Sequence, residues 1–394
     1  MFATGSTRSN EIIKFEFSMK KLLIVSDTPT HPVTGGNRTC ILQNAEMLRQ
    51  IGFDVYFLYV HNYDAPDSHI APTREHWGDR FLFYRLKPVQ HFYRRVISRL
   101  YPRQYSELDY LFPWGLNKYV NSLHKKYGFS GMLVNYVWLS KLADTNIPNI
   151  ALYTHDVFSN RAERMNDPQY CWRSFSVADE AKGIRRFNNI LAIQNVEASY
   201  FKYLAPKKNV YTVYSPMEYQ EQPLTLNSNI LFLSGAGDAN IYGLDWFVKE
   251  VLPLVRAERP EACLIIGGSI CDHISNRYDD KNIQLMGRVD NPSDFYANGD
   301  VVINPTSQGT GLKIKTLEAI AHGKYTVVHP HSAEGIFERV QPPVNASDSP
   351  KEFANRIVTA LGNREILNKN NDCCKIYLEA YNRYISIIYN DLFF

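Results

Sequence analysis

Short apolar runs alternate along the chain with longer stretches in which apolar residues recur at helical spacing. KLLIVSD (21–27) is apolar until a polar turn, the pattern of a strand covered on both faces. The loop TPTHPVTGG follows, then NRTCILQNAEMLRQIG reads as a helix stopped by Gly52, and FDVYFLYV (53–60) as the next strand. A strand, helix and strand in that order predict a βαβ unit and a parallel sheet. GMLVNYV (131–137), NIALYTHD (149–156) and NNILAIQN (188–195) are further strand-like runs ending in polar residues.

The rhythm restarts at NILFLSGAGD (229–238), a strand and glycine-rich turn, followed by a helix that Pro260 closes. CLIIGG, IQLMG, VVINP and YTVVHP read as strands and GLKIKTLEAIAHG as a helix. The expected organisation is a polar extension over 1–18, an α/β domain over 19–213, a hinge over 214–228, a second α/β domain over 229–372, and a helix over 373–394 returning to the first domain. No apolar run approaches the roughly 18–20 residues of a membrane span, and no secretory signal pattern is visible.

Composition narrows the field only a little. In 394 residues, 45% hydrophobic and 21% charged, two domains are expected rather than one core or a disordered chain. With 43 Lys+Arg against 40 Asp+Glu the net charge is +3, too small to argue for a nucleic-acid partner. The six cysteines show no CxxC spacing and no accompanying histidine cluster, which disfavours structural zinc and fits reduced thiols in the cytoplasm.

Two loops carry candidate chemistry. Gly35 and Gly36 precede a helix whose first amides suit an anion; the loop is longer than the tight GxGxxG turn, which disfavours a dehydrogenase. The stronger signal is NPTSQGTGLKIKTLEAIAHG (304–323). Lys313 and Lys315 fall in the first turn of its helix, where the dipole disfavours each cation by ~0.3–1 kcal/mol. Two such lysines make sense if a diphosphate fills the amide nest. Glu318 could accept hydrogen bonds from sugar hydroxyls. The plainer alternative is an amphipathic helix whose Lys315 faces water.

GTGLKIKTLEAIAHGKYTVVHPHSAEGI resembles the donor-binding signature of the GT-B glycosyltransferases of family 4, the group 1 type. LFLSGAGDANIYGLDWFVKEVLPLVRAERPEACLIIGG and IQLMGRVDNPSDFYANGDVVINP are similar to that family's preceding segments. The resemblance implies two Rossmann-like domains facing across a cleft and a retaining transfer of sugar from a nucleotide diphosphate-sugar to a glycan or lipid-linked glycan, with no metal or other cofactor. It implies that Glu318 contacts the donor ribose; that Thr310, Gly311, Leu312 and Lys313 form the turn near sugar and diphosphate; that Arg288 and Val289 line the base; that Gly35, Gly36 and Gly235 approach the donor; and that His155 lies near the donor sugar. His155 and Lys313 are the expected catalytic residues.

Two departures stand out. Thr310 occupies the place of a second glutamate, and GAGDANIYGLDW offers Asp238 and Asn240 where a basic pair is usual. A sugar-nucleotide epimerase, or a catalytically degenerate binding subunit, are the competing readings; no pyridoxal-lysine signature supports a phosphorylase. Residues 80–106 hold seven basic and seven aromatic residues and no acids. That mixture suits an anionic membrane face or lipid-linked acceptor, hence peripheral contact at the inner membrane face, and no nucleic-acid motif accompanies it. A buried aromatic insertion with solvated arginines is the plainer reading.

Overall fold

A computed structural model describes residues 19–33, 35–62, 65–90, 92–93, 96, 107–165, 173–309 and 312–394. The expected extension over 1–18, much of the 80–106 stretch, Thr310 and Gly311 lie outside the described residues.

The N-terminal sheet contains β1 (Lys21–Ser26), β2 (Asp54–His61), β3 (Phe81–Arg85), β4 (Gly131–Asn135), β5 (Ile150–Tyr153), β6 (Asn189–Ala192) and β7 (Asn209–Thr212). Its order is β3-β2-β1-β4-β5-β6-β7, and every pairing is parallel. The C-terminal sheet contains β8 (Asn229–Leu233), β9 (Cys263–Gly267), β10 (Ile283–Gly287), β11 (Val301–Asn304), β12 (Tyr325–Val328) and β13 (Val344–Ala346), in the order β10-β9-β8-β11-β12-β13. Both sheets reverse direction of winding beside their first strand, so each has its ligand crevice at the carboxyl ends of β1/β4 and β8/β11. Two Rossmann-like domains face each other there. This is the GT-B architecture.

The central strands are apolar because helices cover both faces: Leu22, Leu23, Ile24 and Val25 of β1 are all fully buried. Three strands escaped the sequence pattern. β3 is an edge strand whose aromatic alternation, FLFYR, is masked by the basic residues around it; β7 and β13 are only four and three residues long.

The C-terminal helix runs Arg364–Phe393, starting earlier than the expected residue 373. Gly362, at φ 70°, ends the preceding helix turn, and Asn363 caps the new one by accepting from Ile366 N at 3.2 Å. Thirty residues span about 45 Å, enough to bridge the lobes. Tyr377 donates to Phe337 O at 2.9 Å in the C-terminal domain, while Tyr389 donates to Asn44 Oδ1 and Lys20 to Phe394 O at 2.7 Å in the N-terminal one. One apolar cluster therefore runs through Ile41, Leu48 and Tyr153, across Tyr381 and Ile385, to Leu317 and Phe337. Among the described residues no helix is long and apolar enough to cross a membrane.

Candidate active site

On the N-terminal side the helix Gly36–Gln50 opens at Gly35, which caps it without a side-chain hydrogen bond; Arg38 N donates to Asn37 Oδ1 and Gly35 O, which leaves the Gly36 and Asn37 amides to solvent or ligand. A Cβ on Gly36 would stand 2.8 Å from Ile314 Cδ1 of the opposite lobe. The lobes approach closely here, with only the end of the Ile314 side chain in the way of a larger residue.

His155 follows β5 in the left-handed region, φ 65°, and stacks on Tyr136 with ring centroids 4.3 Å apart. Its Nε2 lies 2.7 Å from Asn135 Oδ1, while Asn135 Nδ2 donates to Val25 O at 3.1 Å. That bond orients the amide, so His155 carries its proton on Nε2 and keeps a lone pair on Nδ1. Desolvation pushes its pKa down to about 3. The ring is a neutral acceptor, not a base at physiological pH. Next to it Asp156 pairs with Arg161 at 3.0 Å.

On the C-terminal side the helix Ile314–Ala321 begins at Lys313, which provides no side-chain cap, and its first turn holds no acid. Lys315 is half-buried and donates to Asn240 Oδ1; desolvation brings its pKa down to about 8. The plain alternative of a solvated Lys315 is overturned, because Asn240 holds its ammonium within the cleft lining. Lys313 Nζ lies 3.0 Å from His331 Nε2, and His331 Nδ1 lies 3.0 Å from Glu334. Burial lowers the Lys313 pKa as well. A chain from Glu334 through His331 thus orients the Lys313 ammonium. Glu318 is three residues beyond Lys315, 3.3 Å from Tyr296 Oη, with its carboxyl pushed up by desolvation.

Between the lobes lies a cavity of about 880 Å³. Gly36, His155, Leu312, Lys313 and Lys315 all line it, so residues nearly three hundred positions apart meet at one site. Gly35 is one residue back. Gly235 lies behind Asn240, whose Nδ2 bonds its carbonyl at 3.0 Å. Glu318 stands on the next turn behind Lys315 and is not in the lining. Arg288 is 79% exposed and 3.6 Å from Asp272, and Val289 packs against the core beside Gly267; neither lines the cavity in this arrangement of the lobes.

Sequence reasoning missed Asn37, Arg161, Thr306, His331 and Ser332 in the lining. Thr306 could have been found from its place directly after β11, at the carboxyl edge of the sheet. His331 had no signal, because its role depends on contact with Lys313.

Residues 227–363 match the family model for "Glycosyl transferases group 1". A curated protein of Klebsiella pneumoniae, an uncharacterized 44.6 kDa protein in a cps region, is 24% identical over 345 residues, covering 80% of this chain and 84% of that one. Among solved structures, TarM has a TM-score of 0.65 at 12% identity, covering 96% of this chain and 99% of its own. Sucrose-phosphate synthase of Thermosynechococcus elongatus gives 0.63 at 14%, covering 95% and 99%. The pneumococcal O-GlcNAc transferase GtfA, in complex with UDP and GlcNAc, gives 0.59 at 12%, covering 94% and 99%. The C-terminal domain is thus similar to group 1 glycosyl transferases over 227–363, and the whole chain shares the two-domain GT-B fold of these solved structures.

Proposed function

We propose that the protein moves a sugar from a nucleotide diphosphate-sugar to a hydroxyl of a glycan or lipid-linked glycan, with retention of anomeric configuration, in polysaccharide, lipopolysaccharide or glycoconjugate synthesis. One observation carries the reading: Lys313 and Lys315 stand half-buried at the cleft floor, and among the described residues neither lies within ion-pair distance of a carboxylate. Two partly desolvated cations beside open helix-start amides form a preorganised anion site matched to a diphosphate. Donors recorded in similar proteins lend support: Anabaena HepE is in complex with UDP-glucose, and a S. aureus TarM mutant with UDP.

In the reaction the bond between the anomeric carbon and the donor phosphate oxygen breaks. The acceptor oxygen bonds that carbon, and its proton leaves on the departing diphosphate. Lys313, Lys315 and the Gly36 and Asn37 amides take up the developing charge without a metal. His155 offers Nδ1 to a sugar hydroxyl and positions the sugar rather than abstracting a proton. Glu318, Thr310, Gly311, Arg288, Val289 and Gly235 keep their family-implied donor roles in this proposal, Arg288 and Val289 through a closer approach of the lobes. A cytoplasmic location with peripheral membrane contact through 80–106 belongs to the same proposal, supported by Val89 and Phe92, which are both exposed.

A thermal-shift screen with UDP, GDP, ADP and their sugar conjugates tests the donor assignment, since a ligand that binds only the folded state raises the melting temperature. A rise with one base and not the others is expected. No rise with any of them contradicts the reading.

A further inference from the structure

The helix Asp238–Trp246 opens onto the donor cleft at Gly237, Asp238 and Asn240 but carries no basic residue of its own. A cation reaches it from the facing helix. Lys315 passes over the Phe232 ring, with 6.0 Å between Nζ and the ring centroid, and donates to Asn240 Oδ1. Asn240 is fixed in its turn. Its Nδ2 donates to Gly235 O at 3.0 Å, and Thr306 Oγ1 donates to its Oδ1 at 3.3 Å. Because a carbonyl can only accept, Nδ2 must face Gly235, and that turns Oδ1 toward the lysine. Gly243, three residues on, seats the same helix: a Cβ there would stand 2.8 Å from Pro305 O, in the backbone just after β11. Lacking that Cβ, the helix lies close enough for Asn240 to meet Thr306.

We propose, building on the transferase reading, that Asn240 is a positioning residue of the donor site: its amide draws Lys315 Nζ across to the start of the helix Asp238–Trp246 and, being uncharged, leaves the ammonium's charge to the donor diphosphate.

The choice of an amide is what matters. An aspartate of the same shape would hold the ammonium equally well, but the pair would be neutral and little attraction would remain for an anion. An amide gives the lysine a place without cancelling its charge. A free lysine stem samples many rotamers, so fixing it in advance removes part of the ordering cost a ligand would otherwise meet. The other charged or titratable groups around Lys315 are Glu318 and Lys313 on its own segment, Asp238 beside Asn240, His331, and His155, Asp156 and Arg161 from the other lobe. Asp156 is paired with Arg161, and among the described residues no carboxylate lies within ion-pair distance of Lys315 Nζ. Lys313 is held differently. It also borders a second cavity, of about 660 Å³, whose wall includes Glu334 and Glu197, the latter buried in the first turn of the helix Asn195–Leu204. Its partner, His331, titrates and is bonded to Glu334, whereas Asn240 keeps its neutrality at every pH.

Calorimetric titration of the full chain with UDP, GDP and ADP tests this in wild type, Asn240→Ala, Asn240→Asp, Lys315→Met and the double variant Asn240→Ala/Lys315→Met. For the nucleotide the wild type binds, Asn240→Ala should weaken affinity about 3–10-fold and Asn240→Asp about tenfold or more. In the Lys315→Met background Asn240→Ala should change affinity by less than about twofold, because the amide acts through the lysine. The pH profile supplies a readout that a purely structural role would not move. Wild-type affinity declines above about pH 8, and in Asn240→Asp that decline shifts to higher pH, since a neighbouring carboxylate favours the charged lysine. Asn240→Asp, which keeps the shape of the side chain, guards against a misfolded Asn240→Ala. Wild-type affinity in Asn240→Asp, an unshifted pH profile in that variant, or effects of Asn240→Ala and Lys315→Met that multiply in the double variant overturns the proposal. Any of these alongside wild-type nucleotide binding sinks only the role of Asn240; a wild type that binds none of the three nucleotides sinks the transferase reading with it.

Discussion

The two adjoining cavities put the same physics to opposite uses. In the donor cleft, burial disfavours a positive charge and brings Lys315 down to about 8; in its neighbour, burial disfavours a negative charge and brings Glu197 up to about 8. Both groups lean toward their uncharged forms when no ligand is present. The difference lies in what would relieve them. A dianion restores the full lysine charge, so binding draws in a proton.

The largest effect that would break this comparison is on the lysines. Lys313→Ala and Lys315→Ala should each weaken nucleoside diphosphate binding by about 10–100-fold, each removing a charge-assisted contact, with transfer rates falling in step and melting temperature little changed. Calorimetric titration of each variant measures this; unchanged affinity in both would remove the lysines from the donor site.

Next comes pH. Lys315 has its pKa lowered in the free protein, and a bound diphosphate raises it, so affinity is fully present below about pH 8 and declines above it. Lys315→Met should flatten that decline at a lower overall affinity.

Glu197 gives the opposite sign in stability. Its folded pKa is about 8 against 4.5 unfolded, so between those values the folded state holds a proton the unfolded state has released. Stability contributed by this group is therefore present below about pH 4.5 and is lost as pH rises toward 8, by at most ~1.4 kcal/mol per pH unit. Chemical denaturation of the wild type and Glu197→Gln at several pH values tests this, and the variant should lose that component.

A smaller effect sharpens the lobe geometry: Gly335→Ala, strained at φ 72° and crowded by Gln194, should destabilise by roughly 1–3 kcal/mol. The smallest belongs to Arg288→Ala. At 79% exposure its stability cost stays within about 0.5 kcal/mol. A loss of nucleotide affinity in this variant would show that closure carries Arg288 to the base.

Much of this was legible before the coordinates. Parallel strands buried on both faces announce themselves as apolar runs, so β1, β2, β4, β5, β6, β8, β9, β11 and β12 could be read directly, and the edge strand β10 from IQLMG even though Gln284, Leu285 and Met286 are exposed. β13 could not, because three residues are too few to show a pattern, and the flanking arginines and lysines hid β3. In the site, Lys313 stood out because a cation at a helix start opposes the dipole, and Gly36 because glycine precedes a helix. The roles of Asn240 and His331 were not legible: each is defined by a lysine it meets only in the fold, across 75 and 18 residues. Glu197 was hidden for a different reason. A glutamate in a first helical turn looks like an ordinary dipole partner, and only its burial beside a cavity sets it apart.

The most direct test of the central claim is proton-linked calorimetry of nucleoside diphosphate binding near pH 8, run in two buffers of different ionisation enthalpy. The account predicts binding with net uptake of a fraction of a proton, lost in Lys315→Met. Binding without uptake, or no binding of any nucleoside diphosphate, would contradict it.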